Sequence, residues 1–393
     1  MNLFFIYLLY QFNSIYISSK QTIYQLPYTT LNENLYLQHK QGTKLEILLS
    51  RIDQQTPFSW FNQNFLDMKP SSTRQILTKN PSLITYLPNN QMEAHLYSDI
   101  VMIGDNKLYF HFYVPISRKE DHSLTLAYQV EKEEFSFVHI LKKQKLIHKL
   151  IYSIFPNNPY EGNFYFGTPP TVPNKSTEGK CNIINNKWAC SILRGKINDN
   201  FIYNTSSNAN ITLFQIKEKF VYVPKGFLEF IVRSLNTFNI RNKRCEVTSN
   251  ARKEYYYIYC DDPILFGNHT ISFLIGEYEF TCPLSTYFSI SSNSAMSNIM
   301  YHKRKCLEMT NNTKQECWIF GSDFILKYVS TFDYENNVIT FISKEKLFPI
   351  KRIINTNEMS LQQMLMMNVI YVNIGIQCIV IIMLFYVKKQ NNV

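Results

Sequence analysis

An all-β chain folded in two lobes is the architecture this sequence predicts, and three observations carry the prediction. The first is composition: 45% of the 393 residues are hydrophobic, and 27 Tyr and 29 Phe stand against only 11 Gly. Aromatic residues at that density fit pleated, half-buried strands better than helix stripes, and they supply enough apolar surface to fold. The second is length, which exceeds what one hydrophobic core commonly serves and points to two similar lobes. The third is punctuation, clearest in Trp318–Phe341, WIFGSDFILKYVSTFDYENNVITF. Trp318-Ile319-Phe320 reads as a buried strand, Gly321 breaks it, and Phe324, Ile325 and Tyr328 fall at helical spacing. Val329–Phe332 and Val338–Phe341 then read as a hairpin about the polar turn Asp333-Tyr334-Glu335-Asn336-Asn337.

Charge excludes one class of partner. The net charge is +10, but the lysines are scattered among Asn and Tyr without a basic arm, which is a solvated surface rather than a nucleic-acid interface. Met1–Ser18 is short and apolar with a polar end and reads as a signal peptide, a buried N-terminal strand being the alternative. Met364–Val387 is an apolar run interrupted by Asn368, Asn373 and Gln377 and followed by Lys388-Lys389. It is expected to span a membrane and to leave residues 388–393 as a cytoplasmic tail. The residues between would face the lumen or the outside, as in a single-pass type I membrane protein of the secretory or endolysosomal pathway or the cell surface. In that compartment the Asn-x-Ser/Thr triplets at Asn174, Asn204, Asn210, Asn268 and Asn311 are candidate glycan acceptors. Cys181 with Cys190, Cys245 with Cys260, and Cys306 with Cys317 are spaced as local disulfide pairs, which leaves Cys282 over and Cys378 in the span. The His and Cys spacing builds no zinc site, and no metal or other cofactor is expected.

The apolar pair, Gly, aromatic, Tyr, Phe-Asp, Asn-Asn and closing strand of Trp318–Phe341 resemble the C-terminal signature of pepsin-family (A1) aspartic proteases. The resemblance implies a bilobal, all-β acid-protease fold, with an N-terminal lobe over residues 28–168 and a C-terminal lobe over 169–355. Leu35–Leu37 and Leu45–Leu49, joined at Gln41-Gly42-Thr43, read as strands leading into Asp53. Asp53-Gln54-Gln55-Thr56-Pro57-Phe58-Ser59-Trp60 keeps the family's spacing from the first active-site Asp to a Trp, with Thr56 able to hydrogen-bond the carboxylate. Gln54 and Gln55 stand where Thr and Gly are usual. Pro70–Thr73, Ile84-Thr85-Tyr86 and Ser98–Gly104 follow in the order of the flap hairpin, so Tyr86 and Trp60 inherit the roles of flap tyrosine and its partner; core packing is the alternative reading of both. Leu124–Tyr128 matches the segment crossing behind the first loop, with Thr125 at a position usually Gly. Phe135–Ile147 reads as a helix, Ile151–Phe155 and Asn163–Gly167 as strands, and Thr168–Lys180 as the connection between lobes.

The second lobe departs at its chemical centre. Phe220–Leu228 resembles the segment after the second active-site loop, with Pro224 opening a helix. Counting back places the second catalytic position on Gln215, within Gln215-Ile216-Lys217-Glu218, and no Asp occurs between Asp199 and Asp261. A Gln cannot share or exchange the proton that two carboxylates pass between them, and Lys217 would place a cation beside the cleft. Little chain lies between Ser18 and the first strand, so an inhibitory prosegment of the family's kind is not expected. The expectation is a membrane-anchored homologue, impaired in catalysis, that binds extended peptides or proteins in its inter-lobe cleft. The competing readings are a divergent endopeptidase using Asp53 and a structural surface or adhesion module.

Overall fold

The computed structural model describes residues 24–353 except 32–33, 42–45, 55–56, 58, 62–70, 88–89, 104–105, 117–122, 131, 173–175, 206–209, 238–243, 262–268, 292–293, 304, 306–317 and 345; for 24, 29–52, 86–90, 101–106 and 123–124 the description is of the backbone. Contacts group the chain up to Arg352 as one unit and the residues from Ile353 as another. The signal-peptide segment, the expected membrane span and the tail therefore lie outside the described residues, among which no helix is long and apolar enough to cross a membrane.

The N-terminal half is built almost wholly of strands: β1 (Tyr24–Leu31), β2 (Asn34–Gln41), β3 (Glu46–Asp53), β4 (Gln75–Ile76), β5 (Ser82–Leu87), β6 (Asn90–Ile103), β7 (Asn106–Pro115), β8 (Ser123–Thr125), β9 (Ile151–Pro156) and β10 (Glu161–Phe166). Helix α1 (Phe137–Lys143) precedes β9 and buries Phe137, Val138, Ile140 and Leu141. It is the core of the helix expected over Phe135–Ile147, shortened because Lys145 turns to a positive φ of 59°. The long β5–β6 hairpin stands where the flap was expected, with Ser82 opposite Ala94 and Leu87 opposite Asn90. Its neighbour β7 pairs along the length of β6.

The C-terminal half continues as β11 (Thr177–Asn182), β12 (Ala189–Ile197), β13 (Phe201–Asn204), β14 (Ile211–Phe214), β15 (Val221–Tyr222), helix α2 (Lys225–Thr237), β16 (Cys245–Ser249), β17 (Tyr255–Cys260), β18 (Thr270–Ile275), β19 (Tyr278–Pro283), β20 (Phe288–Ile290), β21 (Ala295–His302), β22 (Trp318–Phe320), helix α3 (Ser322–Ile325), β23 (Val329–Asp333), β24 (Val338–Ser343) and β25 (Ile350–Arg352). Helix α2 begins directly after Pro224, whose carbonyl accepts the Phe227 and Leu228 N–H groups, and it buries Phe227, Leu228, Ile231 and Leu235 on one face. Gly276 supplies the positive φ of 57° that turns β18 into β19. Residues 177–180, expected in the connection between lobes, belong instead to strand β11. Its alternating burial, with Gly179 and Cys181 inward, lets it pair with β24.

Two sheets result, and the first is shared by both halves of the chain. Its order is β11-β24-β23-β9-β10-β1-β2-β3-β8, so three C-terminal strands extend an N-terminal sheet. The seam is β23 on β9, with Phe332 opposite Tyr152 and Thr331 opposite Ser153. The turn between β23 and β24 is the one expected from Asp333–Asn337. The Asp333 carboxylate accepts the Glu335 and Asn336 N–H groups at 2.9 Å each, and Asn337 takes a φ of 55°. Across the seam, Tyr152 stacks on Phe332 with ring centroids 4.7 Å apart, and Trp188 meets Phe332 and Tyr334 edge-on at 5.1 and 4.7 Å. The indole N–H of Trp188 is satisfied by the Leu126 carbonyl at 2.7 Å. Each fully buried ring contributes about 2–3 kcal/mol, and these rings belong to one contiguous cluster with core residues of both halves. Two disulfides close loops within the C-terminal half, Cys181–Cys190 and Cys245–Cys260, both as paired in the sequence. The Cys306–Cys317 pair lies outside the described residues, and Cys282 is a buried free thiol.

Candidate active site

Each half ends a strand against a parallel neighbour that returns from far along the chain, and the site lies where these two arrangements face each other. In the first, β3 pairs in parallel with β8, so Asp53 stands opposite Thr125 and its carbonyl accepts the Leu126 N–H at 2.7 Å. In the second, β14 pairs in parallel with β22, Phe214 stands opposite Phe320, and the Gln215 N–H donates to the Phe320 carbonyl at 3.0 Å. Continuing that register one step sets Gln215 beside Gly321 as Asp53 is set beside Thr125. Gly321 is required there: a Cβ would overlap the carbonyl oxygens of Glu218 and Phe220, because the loop after Gln215 lies directly on it. Loop and glycine are also joined by the Ser322 N–H donating to the Glu218 carbonyl at 2.7 Å.

Two contacts tie the loops to each other. The Ile216 N–H donates to Oε1 of Gln54 at 2.7 Å, and Nε2 of the same amide donates to the Tyr152 hydroxyl at 2.7 Å. Tyr152 is fully buried, and burial foremost, then neighbouring Tyr334, pushes its phenol well above the ordinary value and keeps it neutral. Gln54 thus uses both ends of its side chain, one to grip the opposite loop and one to anchor in the shared core. Read from sequence it was only a departure from the usual Thr. The second contact is ionic: Nζ of Lys217 lies 2.9 Å from Oδ2 of Asp53, with side-chain exposures of 16% and 2%.

Behind Lys217 the second loop carries another charged group. Lys305 pairs with the Glu218 carboxylate and lies 3.1 Å from the Tyr222 hydroxyl, and its ammonium sits 4.8 Å above the Tyr222 ring. Burial, then the Glu218 charge, raises the Tyr222 phenol far above its ordinary value. Tyr222 packs with Ala189, Leu213, Met300 and Ile319, against which Tyr255, Tyr257 and Tyr301 lie partly buried. No local signal in the sequence joins Lys305 to Glu218, since 87 residues separate them.

Trp60 is buried in a cluster with Ile84, Met92, Ala94, Tyr113 and Phe135. It bridges to Tyr113, and neighbouring Ser59 donates to the Phe135 carbonyl at 3.2 Å while accepting the Thr125 N–H at 2.9 Å. Trp60 is therefore held at the base of the β5–β6 hairpin, into which Tyr86 falls as a strand residue. The Tyr86 side chain lies outside the described residues, as do Thr56 and Gln55. Segment Ser71–Arg74 is fastened to Asp99, which accepts from Ser71 at 2.9 Å and Thr73 at 2.7 Å and pairs with Arg74 at 3.3 Å. Among the described residues no group of His, Cys, Asp or Glu is placed to hold a metal.

Residues 53–344, from Asp53 to just beyond the closing hairpin, match the family model for eukaryotic aspartyl proteases. The chain belongs to that family. Comparison with curated proteins gave no match. Aspartyl proteases work through two carboxylates close enough that they share a proton and polarise a water between them. Asp53, the first residue of the match, lies buried beside a lysine ammonium.

Among the candidate glycan acceptors, Asn210 is 1% exposed just before β14, where its carbonyl accepts the Ile192 N–H at 3.0 Å, and Thr212 is fully buried within that strand. Asn204, at the exposed end of β13, is open to solvent. Asn174, Asn268 and Asn311 lie outside the described residues.

Proposed function

We propose that this chain is a membrane-anchored aspartyl protease homologue whose inter-lobe cleft binds extended peptides or proteins and hydrolyses them poorly or not at all. The observation that carries the reading is the Lys217–Asp53 ion pair at 2.9 Å, formed where the neighbouring loop position is Gln215. A carboxylate held by an ammonium, with Gln215 where the family's second acid is expected, has no second acid with which to share a proton, so it lacks the partner that returns a proton to the leaving amine. Peptide binding needs none of this. An extended segment is held by strand-like backbone hydrogen bonds and side-chain pockets, neither of which requires a catalytic dyad. The membrane anchor rests on residues 364–387 and on their flanking lysines, and lumenal or extracellular exposure of Asn204 and the two disulfides follows from the same orientation.

The test is cleavage of a broad library of unstructured peptides by the purified full chain between roughly pH 3 and 7, beside Asp53→Ala, with folding of both proteins verified. The expected result is no cleavage by either, with retention of a subset of peptides that is weakened by Tyr86→Ala. Cleavage that disappears in Asp53→Ala would instead establish a divergent endopeptidase. Retention of no peptide, with the fold intact, would leave a structural module.

A further inference from the structure

Away from the cleft, a cavity of about 700 Å³ lies where the β9–β10 turn of the N-terminal half meets α3 and the segment after β24. Its described lining includes Lys219, Lys327 and Lys344 against a single carboxylate, Asp323. The three lysines come from three separate segments: the end of the second loop, the residue before Tyr328, and the first residue after β24. Lys327 is partly buried, donates to the Asp323 carbonyl and lies 4.0 Å above the Tyr287 ring. Burial, ahead of the opposing influence of Cys282 and Asp323, pulls its ammonium below the ordinary value. Lys344 donates to the Pro156 carbonyl and covers the Phe155 ring at 4.4 Å, which fixes it against the turn. Glu161, at the start of β10, accepts from Asn158 at 3.0 Å.

We infer that this cavity binds a small phosphomonoester. Three ammonium groups from different directions match the several oxygens and the double charge of a phosphate better than the two oxygens of a carboxylate. The volume exceeds that of a phosphate alone, and Leu326, Phe348 and Tyr160 on the same lining offer an apolar or aromatic body a place to lie. The lining shares Lys219 with the end of the second loop but includes neither Asp53 nor Gln215, so the inference stands whether or not the cleft cleaves peptides.

Phenyl phosphate and inorganic phosphate, titrated calorimetrically into the full chain in detergent, test the inference. Saturable binding of phenyl phosphate, tighter than inorganic phosphate, is expected, with a loss of about tenfold in affinity for each of Lys219→Gln and Lys344→Gln. Because a lysine variant can fold poorly, a second readout uses the wild-type protein alone: phenyl phosphate raises its unfolding midpoint, and benzoate at equal concentration raises it less. Absence of saturable binding, an unshifted midpoint, equal effects of benzoate and phenyl phosphate, or wild-type affinity in folded Lys219→Gln and Lys344→Gln would each overturn the assignment.

Discussion

The ammonium of Lys217 lies 2.9 Å from the Asp53 carboxylate, across 164 residues of chain, with both groups largely removed from solvent. A buried pair of this kind resists removal of either member, because the survivor is left as an uncompensated charge. Lys217→Met and Asp53→Leu, each made alone, are expected to cost about 3 kcal/mol of stability. The double variant should recover most of that loss. A double-mutant cycle by denaturant unfolding measures the coupling, and additive losses would show that the pair is not formed.

Gln54 bridges the Ile216 N–H and the Tyr152 hydroxyl. Gln54→Ala strands a buried donor on the second loop and should cost about 1–3 kcal/mol. Gln54→Glu keeps the shape and an acceptor for Ile216 but loses the amide donor to Tyr152, and it adds a buried charge. It should therefore be at least as destabilising as the alanine variant, as read from the unfolding midpoint of each.

The proposed function, in which Gln215 stands at the second catalytic position, makes the loss of catalysis reversible in principle. Gln215→Asp combined with Lys217→Gly places a second carboxyl at the symmetric position and removes the competing cation. Acid-dependent cleavage is expected to rise roughly a hundredfold over the parent, and to vanish on adding Asp53→Ala. Cleavage unchanged from the parent would mean that the two loop positions do not face one another as a dyad.

Acid should weaken this fold. His111, His139, His269 and His302 are all held below the ordinary imidazole value of 6.5, with burial the first cause in each. The unfolded chain then binds more protons than the native one, so the stability these groups support is whole above pH 6.5 and is lost as pH falls through their lowered values. Glu134 and Glu335, lowered from 4.5 first by hydrogen bonds from Lys143 and Lys142, act in the same direction further down: their contribution is present above that value and lost below it. The thermal midpoint should fall steadily from about pH 7.5 to about pH 4. His139→Phe, which removes the imidazole packed edge-on against Tyr334 at 5.3 Å, should flatten the upper part of that profile.

The sequence by itself determined the family, the all-β class of fold and several of its elements, among them the closing β23–β24 hairpin and the helix after Pro224. Those features depend on local periodicity, on turn chemistry such as Asp333–Asn337, and on motif spacing from Asp53 to Trp60 and back from Pro224 to Gln215. It also located Lys217 beside the cleft and paired two of the disulfides, since neighbouring cysteines need little chain to meet. Only the tertiary structure decided that Lys217 reaches Asp53, that Gln54 joins the two loops rather than merely departing from a motif, and that Lys305 finds Glu218. Each of these contacts links residues more than 80 positions apart, and a side chain's partner at that range is set by how the sheets cross. The same holds for the burial of Asn210, which no triplet reveals, and for β11, whose place beside β24 is fixed by a seam between halves that no stretch of either half encodes alone.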